Sequence, residues 1–167
     1  MKVGILTVSD KGAKGEREDR SGAAIREIME TAGWEIVRYR VVPDEPGLIR
    51  AALVEWAEEG VDLVWTTGGT GFSPRDWTPE ATKAVIERET PGISEAIRLA
   101  GMKKTPTAML SRAAAGIRKS TLIINLPGSE KAVRESLEAV MAALPHGIEI
   151  LKGTSGECGK TPDHGKG

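Results

Sequence analysis

Apolar residues recur along the chain in two rhythms that alternate with one another. Val3 to Val8 is apolar almost throughout, the pattern of a strand buried on both faces of a parallel sheet. Lys11 to Arg20 is charged and glycine-containing, which predicts a mobile loop. Ser21 then opens a helix in which Ile25, Ile28, Met29 and Ala32 fall at helical spacing, and Gly33 stops it. Trp34 to Val42 predicts a second strand, ended by Pro43. Gly47 to Glu59 predicts a helix with Leu48, Ala52 and Trp56 on one stripe, ended by Gly60. Val61 to Trp65 is a short apolar strand that runs into Thr66-Thr67-Gly68-Gly69-Thr70-Gly71. Two helical segments follow, Pro79 to Glu89 and Ile93 to Gly101, and Thr121 to Asn125 predicts a further strand. Pro127-Gly128-Ser129 turns into an amphipathic helix with Val133, Leu137, Val140, Met141 and Leu144 facing inward, and Ile148 to Leu151 add a last turn.

Strands alternating with helices imply βαβ units. The expected class is α/β: a three-layer sandwich with a mostly parallel central sheet and helices on both faces. Neither an internal repeat nor a linker interrupts it, so residues 1–152 are expected to form one domain. Residues 153–167, rich in Gly, Lys, Thr and Pro, are expected to form a disordered polar tail. The length of 167 residues suits a single core, and 40% hydrophobic with 28% charged residues is an ordinary globular balance. A net charge of −1 supplies no general field for a nucleic-acid backbone, so any anionic ligand must be held by local groups. Cys158 has no internal partner, which excludes both a disulfide and a cysteine zinc cage and agrees with a reducing cytoplasm. The N-terminal apolar stretch reads as a strand rather than a signal peptide, and no run approaches the roughly 18–20 apolar residues of a membrane span. The expectation is a soluble, cytoplasmic protein.

In an open parallel sheet, ligands bind in the crevice outside the carboxyl ends of the strands. Those ends carry Ser9-Asp10, Pro43-Asp44-Glu45, Thr67-Gly68-Gly69-Thr70-Gly71 and Asn125-Leu126-Pro127-Gly128-Ser129. Glycines permit positive φ and close backbone approach, so the amides of Gly68 to Gly71 can converge on one phosphate, and Thr67 and Thr70 add hydroxyl donors. Ser129 is a good N-cap whose helix would direct free N–H groups at an anion. Thr78 as N-cap with Pro79 first in the helix predicts a helix start that holds Asp76 beside the cradle.

Each feature has a plainer reading. The glycines make a tight turn, Asp44 is a solvated turn carboxylate, Asp76 bridges to Arg75 or caps a helix, and Lys131, Arg112 and Lys119 are exposed charges. Their coincidence at four strand ends favours a site that holds a phosphorylated ligand and a metal. Gly153 to Thr161 has the wrong glycine spacing for a P-loop, and Pro74 breaks a G-x-G-x-x-G fingerprint. His146 and His164 have no metal-ligand spacing.

Taken together, these segments closely resemble the molybdopterin adenylyltransferase family of molybdenum-cofactor biosynthesis. The resemblance runs through Thr7-Val8-Ser9-Asp10, Pro43-Asp44, Thr66 to Gly71, Asp76, Thr78-Pro79-Glu80-Ala81-Thr82 and Arg88-Glu89-Thr90-Pro91-Gly92. It continues through Pro106 to Arg112, Gly116-Ile117-Arg118 and Leu126-Pro127-Gly128-Ser129, and only the last dozen or so residues fall outside it. It implies a compact α/β fold assembled as a homotrimer, with MgATP and molybdopterin as substrates and adenylylated molybdopterin and pyrophosphate as products. It also implies transient contact with the downstream metal-insertion protein. The family's two important carboxylates carry over onto Asp44 and Asp76, as catalytic residues and candidate magnesium ligands, direct or through water. Its nucleotide and pterin-phosphate contacts carry over onto Ser9, Gly68, Gly69, Thr70, Gly71, Ser111, Asn125, Pro127, Gly128 and Ser129. The same superfamily contains non-catalytic or differently acting pterin-binding paralogues, and the pathway is served by molybdenum or tungsten.

Overall fold

A computed structural model describes residues 1–154. Its sheet has six strands: β1 (Lys2–Val8), β2 (Glu35–Val42), β3 (Leu63–Thr67), β4 (Arg88–Glu89), β5 (Ala115–Arg118) and β6 (Thr121–Leu126), in the spatial order β2-β1-β3-β6-β5-β4. The first four in that order are parallel, while β6–β5 and β5–β4 are antiparallel. The expected α/β class therefore holds with a mixed rather than wholly parallel sheet.

Successive residues of β1 serve opposite faces, as the two-residue period requires. Val3 and Ile5 pack beneath helices α2 (Arg20–Thr31), α5 (Pro91–Met102), α6 (Glu130–Val140) and α7 (Leu144–Leu151) through Ile25, Met29, Ile97, Val133, Leu137 and Ile148. Leu6 and Val8 pack beneath α3 (Pro46–Glu58) and α4 (Thr78–Lys83) through Ile49, Leu53, Trp56 and Ala81. Fully burying side chains of this size stabilises by about 1.5–3 kcal/mol each, so the central strands are the anchored part of the molecule. The parallel registers put Thr7 opposite both Val41 and Thr67, and Thr67 opposite Leu126. The loops that follow these four residues consequently emerge side by side.

Several local expectations are corrected. Within the stretch from Lys11 to Arg20, expected as a loop, a helical turn α1 (Asp10–Ala13) is capped by Ser9, and α2 begins at Arg20 with Asp19 rather than Ser21 arranging its cap. The helix expected over Pro79 to Glu89 stops at Lys83. Arg88 and Glu89 instead pair with Ile117 and Gly116 as an edge strand, where β-branched Val85 and Ile86 lead out of the helix and Gly116 leaves room for Ile86. Thr78 is itself the first residue of α4 and makes no capping bond. The long helix expected through Leu144 is two helices, α6 ending at Val140 and α7 restarting at Leu144 with Pro145 in its first turn. The hairpin strand β5 had no sequence assignment, and its turn uses Lys119 at φ 51°. The tail reading from Ser155 onward, with Cys158 and His164, lies outside the described residues. Among the described residues no helix is long and apolar enough to cross a membrane.

Candidate active site at the parallel strand ends

The loop after β3 is built on backbone geometry that only glycine adopts readily. Gly68 has φ 94° and Gly69 φ 64°. A Cβ on Gly68 would stand 2.3 Å from the carbonyl oxygen of Val8, so this loop packs directly on the end of β1. A Cβ on Gly128 would lie 3.3 Å from Gly68 Cα, which brings the loop after β6 against the loop after β3. The Thr67 hydroxyl ties the two together by donating to the Pro127 carbonyl at 2.7 Å.

The paired loops form a wall between two cavities. The larger, about 840 Å³, is lined by Thr7, Ser9, Asp44, Gly68, Gly69 and Gly128. The smaller, about 330 Å³, is more apolar and takes Thr70, Gly71, Ser111, Pro127 and Ser129 among its lining residues. Ten of the expected site residues are thereby sorted onto the two sides of one wall, five on each (Ser9, Asp44, Gly68, Gly69 and Gly128, against Thr70, Gly71, Ser111, Pro127 and Ser129). Ser129 caps α6 by accepting from the Ala132 amide at 3.3 Å, leaving the helix start directed at the wall. Asp76 lines a third recess with Phe72 and Trp77, next to the same loop, and a Cβ on Gly71 would fall 2.9 Å from Asp76 Oδ2. Asn125 stands apart. It is fully buried, its Nδ2 donates to the hydroxyls of Thr66 and Thr82, and its Oδ1 accepts from the Ala114 amide, so its side chain braces the loops from behind.

The electrostatics are set by three carboxylates. Asp10 and Asp44 exchange backbone bonds, the Asp10 amide donating to Asp44 Oδ2 at 2.8 Å and the Asp44 amide to Asp10 Oδ1 at 3.0 Å. The guanidinium of Arg75 grips Asp10 in a fork at 3.0 and 2.9 Å and holds its pKa below the usual aspartate value. Asp44 is pushed the other way. Burial raises its pKa, the Asp10 amide offsets this in part, and the charges of Asp10 and Asp76 raise it further. Among the described residues no group of three or more His, Cys, Asp or Glu side chains makes a closed metal cage. Asp44 and Asp76, neither in an ion pair with a Lys or Arg side chain among the described residues, are hard carboxylates that fit a cation which takes one or two protein carboxylates and fills its shell with water and phosphate oxygens.

Some site residues escaped the sequence reading. Asp19, at the start of α2, lines the larger cavity with Arg17, Arg20 and Lys131. Arg112 organises the 71–77 segment: it donates to the carbonyls of Gly71 (2.7 Å) and Asp76 (2.6 Å) and pairs with Glu80. Arg98 holds the Ala113 carbonyl at 2.9 Å from the floor of the smaller cavity. A single charge in a sequence does not reveal which carbonyls it will reach. Only the adjacency of Lys131 to the Ser129 cap was a usable signal.

Comparison with known proteins gives this geometry a context. Residues 4–146 match the family model described as "Probable molybdopterin binding domain". A relative from Helicobacter pylori strain J99, named molybdopterin adenylyltransferase, is 46% identical over 90% of this chain and 88% of its own. The crystal structure of the molybdopterin biosynthesis enzyme MoaB from Thermus thermophilus is 55% identical, with a TM-score of 0.86 over 91% of this chain and 96% of that one. The tungsten cofactor synthesizing protein MoaB from Pyrococcus furiosus is 40% identical, with a TM-score of 0.81 over 92% of this chain and 96% of that one. With the family model spanning nearly the whole domain and full-length relatives at this identity, the chain belongs to the molybdopterin-binding domain family.

Proposed function

We propose that this protein is a molybdopterin adenylyltransferase, transferring AMP from ATP to the terminal phosphate of molybdopterin with release of pyrophosphate, in molybdenum or tungsten cofactor synthesis. The observation that carries this reading is the shared wall: the loops at Gly68–Gly71 and Pro127–Ser129 border two cavities, so phosphorylated substrates bound in them can bring their phosphates into contact at the wall's edge, served by one set of amides and a helix start. The name of the full-length Helicobacter relative supports it.

The chemistry needs little from protein side chains. An oxygen of the pterin phosphate attacks the α-phosphorus of ATP, a new P–O bond forms there, and the bond from the α-phosphorus to the bridging oxygen breaks as pyrophosphate departs with the electron pair. The nucleophile is already an anion, so no strong base is required, and the demands are alignment and charge neutralisation. Gly69 brings its backbone N–H up to the phosphates, while the Gly68 amide donates to the Leu126 carbonyl at 3.3 Å and fixes the loop on β6. The start of α6 and the adjacent Lys131 add positive potential. Ser9 and Thr70 supply hydroxyls on opposite sides of the wall. Asn125 ties β6 to β3 and α4 beneath the loops through the hydroxyls of Thr66 and Thr82.

Asp44 and Asp76 are the residues that would hold magnesium, directly or through water. When bound, the cation would screen the phosphate oxygens and the developing charge on pyrophosphate. Asp44 supports this assignment, because burial and the charges of Asp10 and Asp76 disfavour its ionised form more than the Asp10 amide and Arg75 favour it, which a bound cation would relieve. Assembly as a homotrimer, a cytoplasmic location and transient contact with the metal-insertion protein belong to the same reading.

The test is a turnover assay with purified protein, molybdopterin, ATP and magnesium, following adenylylated pterin and pyrophosphate. Product that depends on both pterin and magnesium is the expected result. Tight pterin binding without product would instead identify a non-catalytic paralogue.

A further inference from the structure

Five threonines of this protein are fully buried: Thr66, Thr67, Thr78, Thr82 and Thr121. Four have hydrogen-bonded hydroxyls. Thr66 and Thr82 accept from Asn125 Nδ2, Thr67 donates to the Pro127 carbonyl, and Thr121 donates to the Val61 carbonyl. The Thr78 hydroxyl has no partner among the described residues. It is not spent on the helix either, since α4 starts on Thr78 without a side-chain cap. A buried hydroxyl without a partner is rare and calls for a ligand or a water.

Its position indicates which. The Thr78 amide donates to the Gly69 carbonyl at 3.1 Å, which fixes Thr78 against the glycine loop. A Cβ at position 69 would stand 2.4 Å from Thr78 Oγ1 and 3.2 Å from Asp44 Oδ1, so the bare glycine lets both oxygens pack against one point of the loop. Asp44 Oδ2 is taken by the Asp10 amide, whereas Oδ1 accepts no hydrogen bond among the described residues. A hydroxyl and a carboxylate oxygen, both unspent and flanking one point, suit the water shell that magnesium retains.

We infer that Thr78 is a positioning residue of the divalent-cation site, its hydroxyl and Asp44 Oδ1 together holding a water of the cation's shell. This rests on the metal reading given above and adds a residue to it.

The test uses Mn²⁺ as the metal and α,β-methylene-ATP as a nucleotide that cannot transfer AMP, with binding followed by electron paramagnetic resonance. It compares the wild type with Thr78→Val and Thr78→Ser, alongside thermal unfolding of the ligand-free proteins. The expected result is a loss of Mn²⁺ affinity of about tenfold or more in Thr78→Val, recovered in Thr78→Ser, with Thr78→Val unfolding no earlier than the wild type. Wild-type affinity in Thr78→Val overturns this inference and leaves the metal reading standing. A lowered unfolding temperature in Thr78→Val, with unchanged affinity per folded molecule, makes the hydroxyl structural and overturns it as well. If the wild type shows no saturable Mn²⁺ binding with the analogue, the metal reading fails and this inference fails with it.

Discussion

Two aspartates line the same cavity, and the fold treats them in opposite ways. Asp19 is saturated with donors: the hydroxyls of Thr7 (2.6 Å), Ser21 (3.2 Å) and Tyr39, and the amide of Gly22 (2.8 Å). The Tyr39 phenol is pushed up to about 12, chiefly by burial and then by its bond to Asp19, so it remains a neutral donor at any physiological pH. Asp44 receives a single backbone N–H and faces the charges of Asp10 and Asp76. A carboxylate with every acceptor site filled fixes structure: it pins the start of α2 to β1 and β2. One short of donors in the lining of a cavity of about 840 Å³ is placed to receive a cation. Side-chain type and cavity are shared, so the difference in role lies in the donors each was given.

The largest expected effect tests the cation side of this contrast. Asp44→Ala and Asp76→Ala should each lower turnover by about 10³-fold, near 4 kcal/mol of transition-state stabilisation, while pterin binding and folding persist. Steady-state kinetics beside a pterin titration would measure this, and undiminished turnover in either variant would remove that carboxylate from the mechanism. Asp19→Ala should do the reverse. It strands the hydroxyls of Thr7 and Tyr39 and the Gly22 amide, which costs about 2–3 kcal/mol, or roughly 5–10 °C of melting temperature for a domain of this size. Turnover per folded molecule should change far less. If Asp19→Ala melts normally but loses activity, the two aspartates are not different in kind.

A smaller effect sharpens the same contrast. Gly22 lies inside α2, where alanine ordinarily stabilises by about 0.5–1 kcal/mol. Here an added Cβ would stand 2.2 Å from Asp19 Oδ2, 2.6 Å from the Tyr39 hydroxyl and 2.7 Å from the Thr7 hydroxyl. Gly22→Ala should therefore lower stability by about 1–2 kcal/mol against its helix propensity, read as a lower denaturant midpoint with unchanged slope. A stabilised Gly22→Ala would mean the Asp19 cluster yields easily and is no anchor.

The sequence rhythm carries the parallel half of the fold well and the antiparallel edge poorly. β1, β3 and β6 are apolar on both faces, a signal that survives without tertiary information. β4 has only two residues, both exposed, and β5 is only four residues long, so neither is long enough to show a period. Helix starts are legible where the cap is local, as at Ser129, and not where the choice depends on distant partners. Asp19 displaced Ser21 at α2 because Thr7 and Tyr39 fix its carboxylate, and Thr78 lost its capping role because its backbone follows Gly69. The glycine loop and the carboxylates Asp44 and Asp76 were legible as chemistry at strand ends. The donors that decide how such groups behave, among them Arg75, Arg112 and Tyr39, act across gaps of 20 to 65 residues that no local pattern records.

The smallest effect is one of sign. Asp44 has a folded-state pKa above its ordinary 3.8, so the folded protein binds that proton more tightly than the unfolded chain does. The stabilising contribution is complete below the unfolded value and is lost as pH rises through the folded one, which leaves the ionised Asp44 a liability at neutral pH. Asp44→Asn should therefore melt slightly above the wild type at pH 7 in the absence of ligands, and the advantage should shrink as pH falls toward about 4. Asp10 has the opposite shift, from the Arg75 fork, so Asp10→Asn should give no such gain at neutral pH. Adding magnesium and nucleotide should reverse the Asp44 result, because only the wild type can use the cation to compensate its charge. Melting curves for both variants at the two pH values, with and without MgATP, would read all of this. A wild type that outlasts Asp44→Asn at pH 7 without ligand would mean that Asp44, like Asp19, is held by the fold rather than held in waiting.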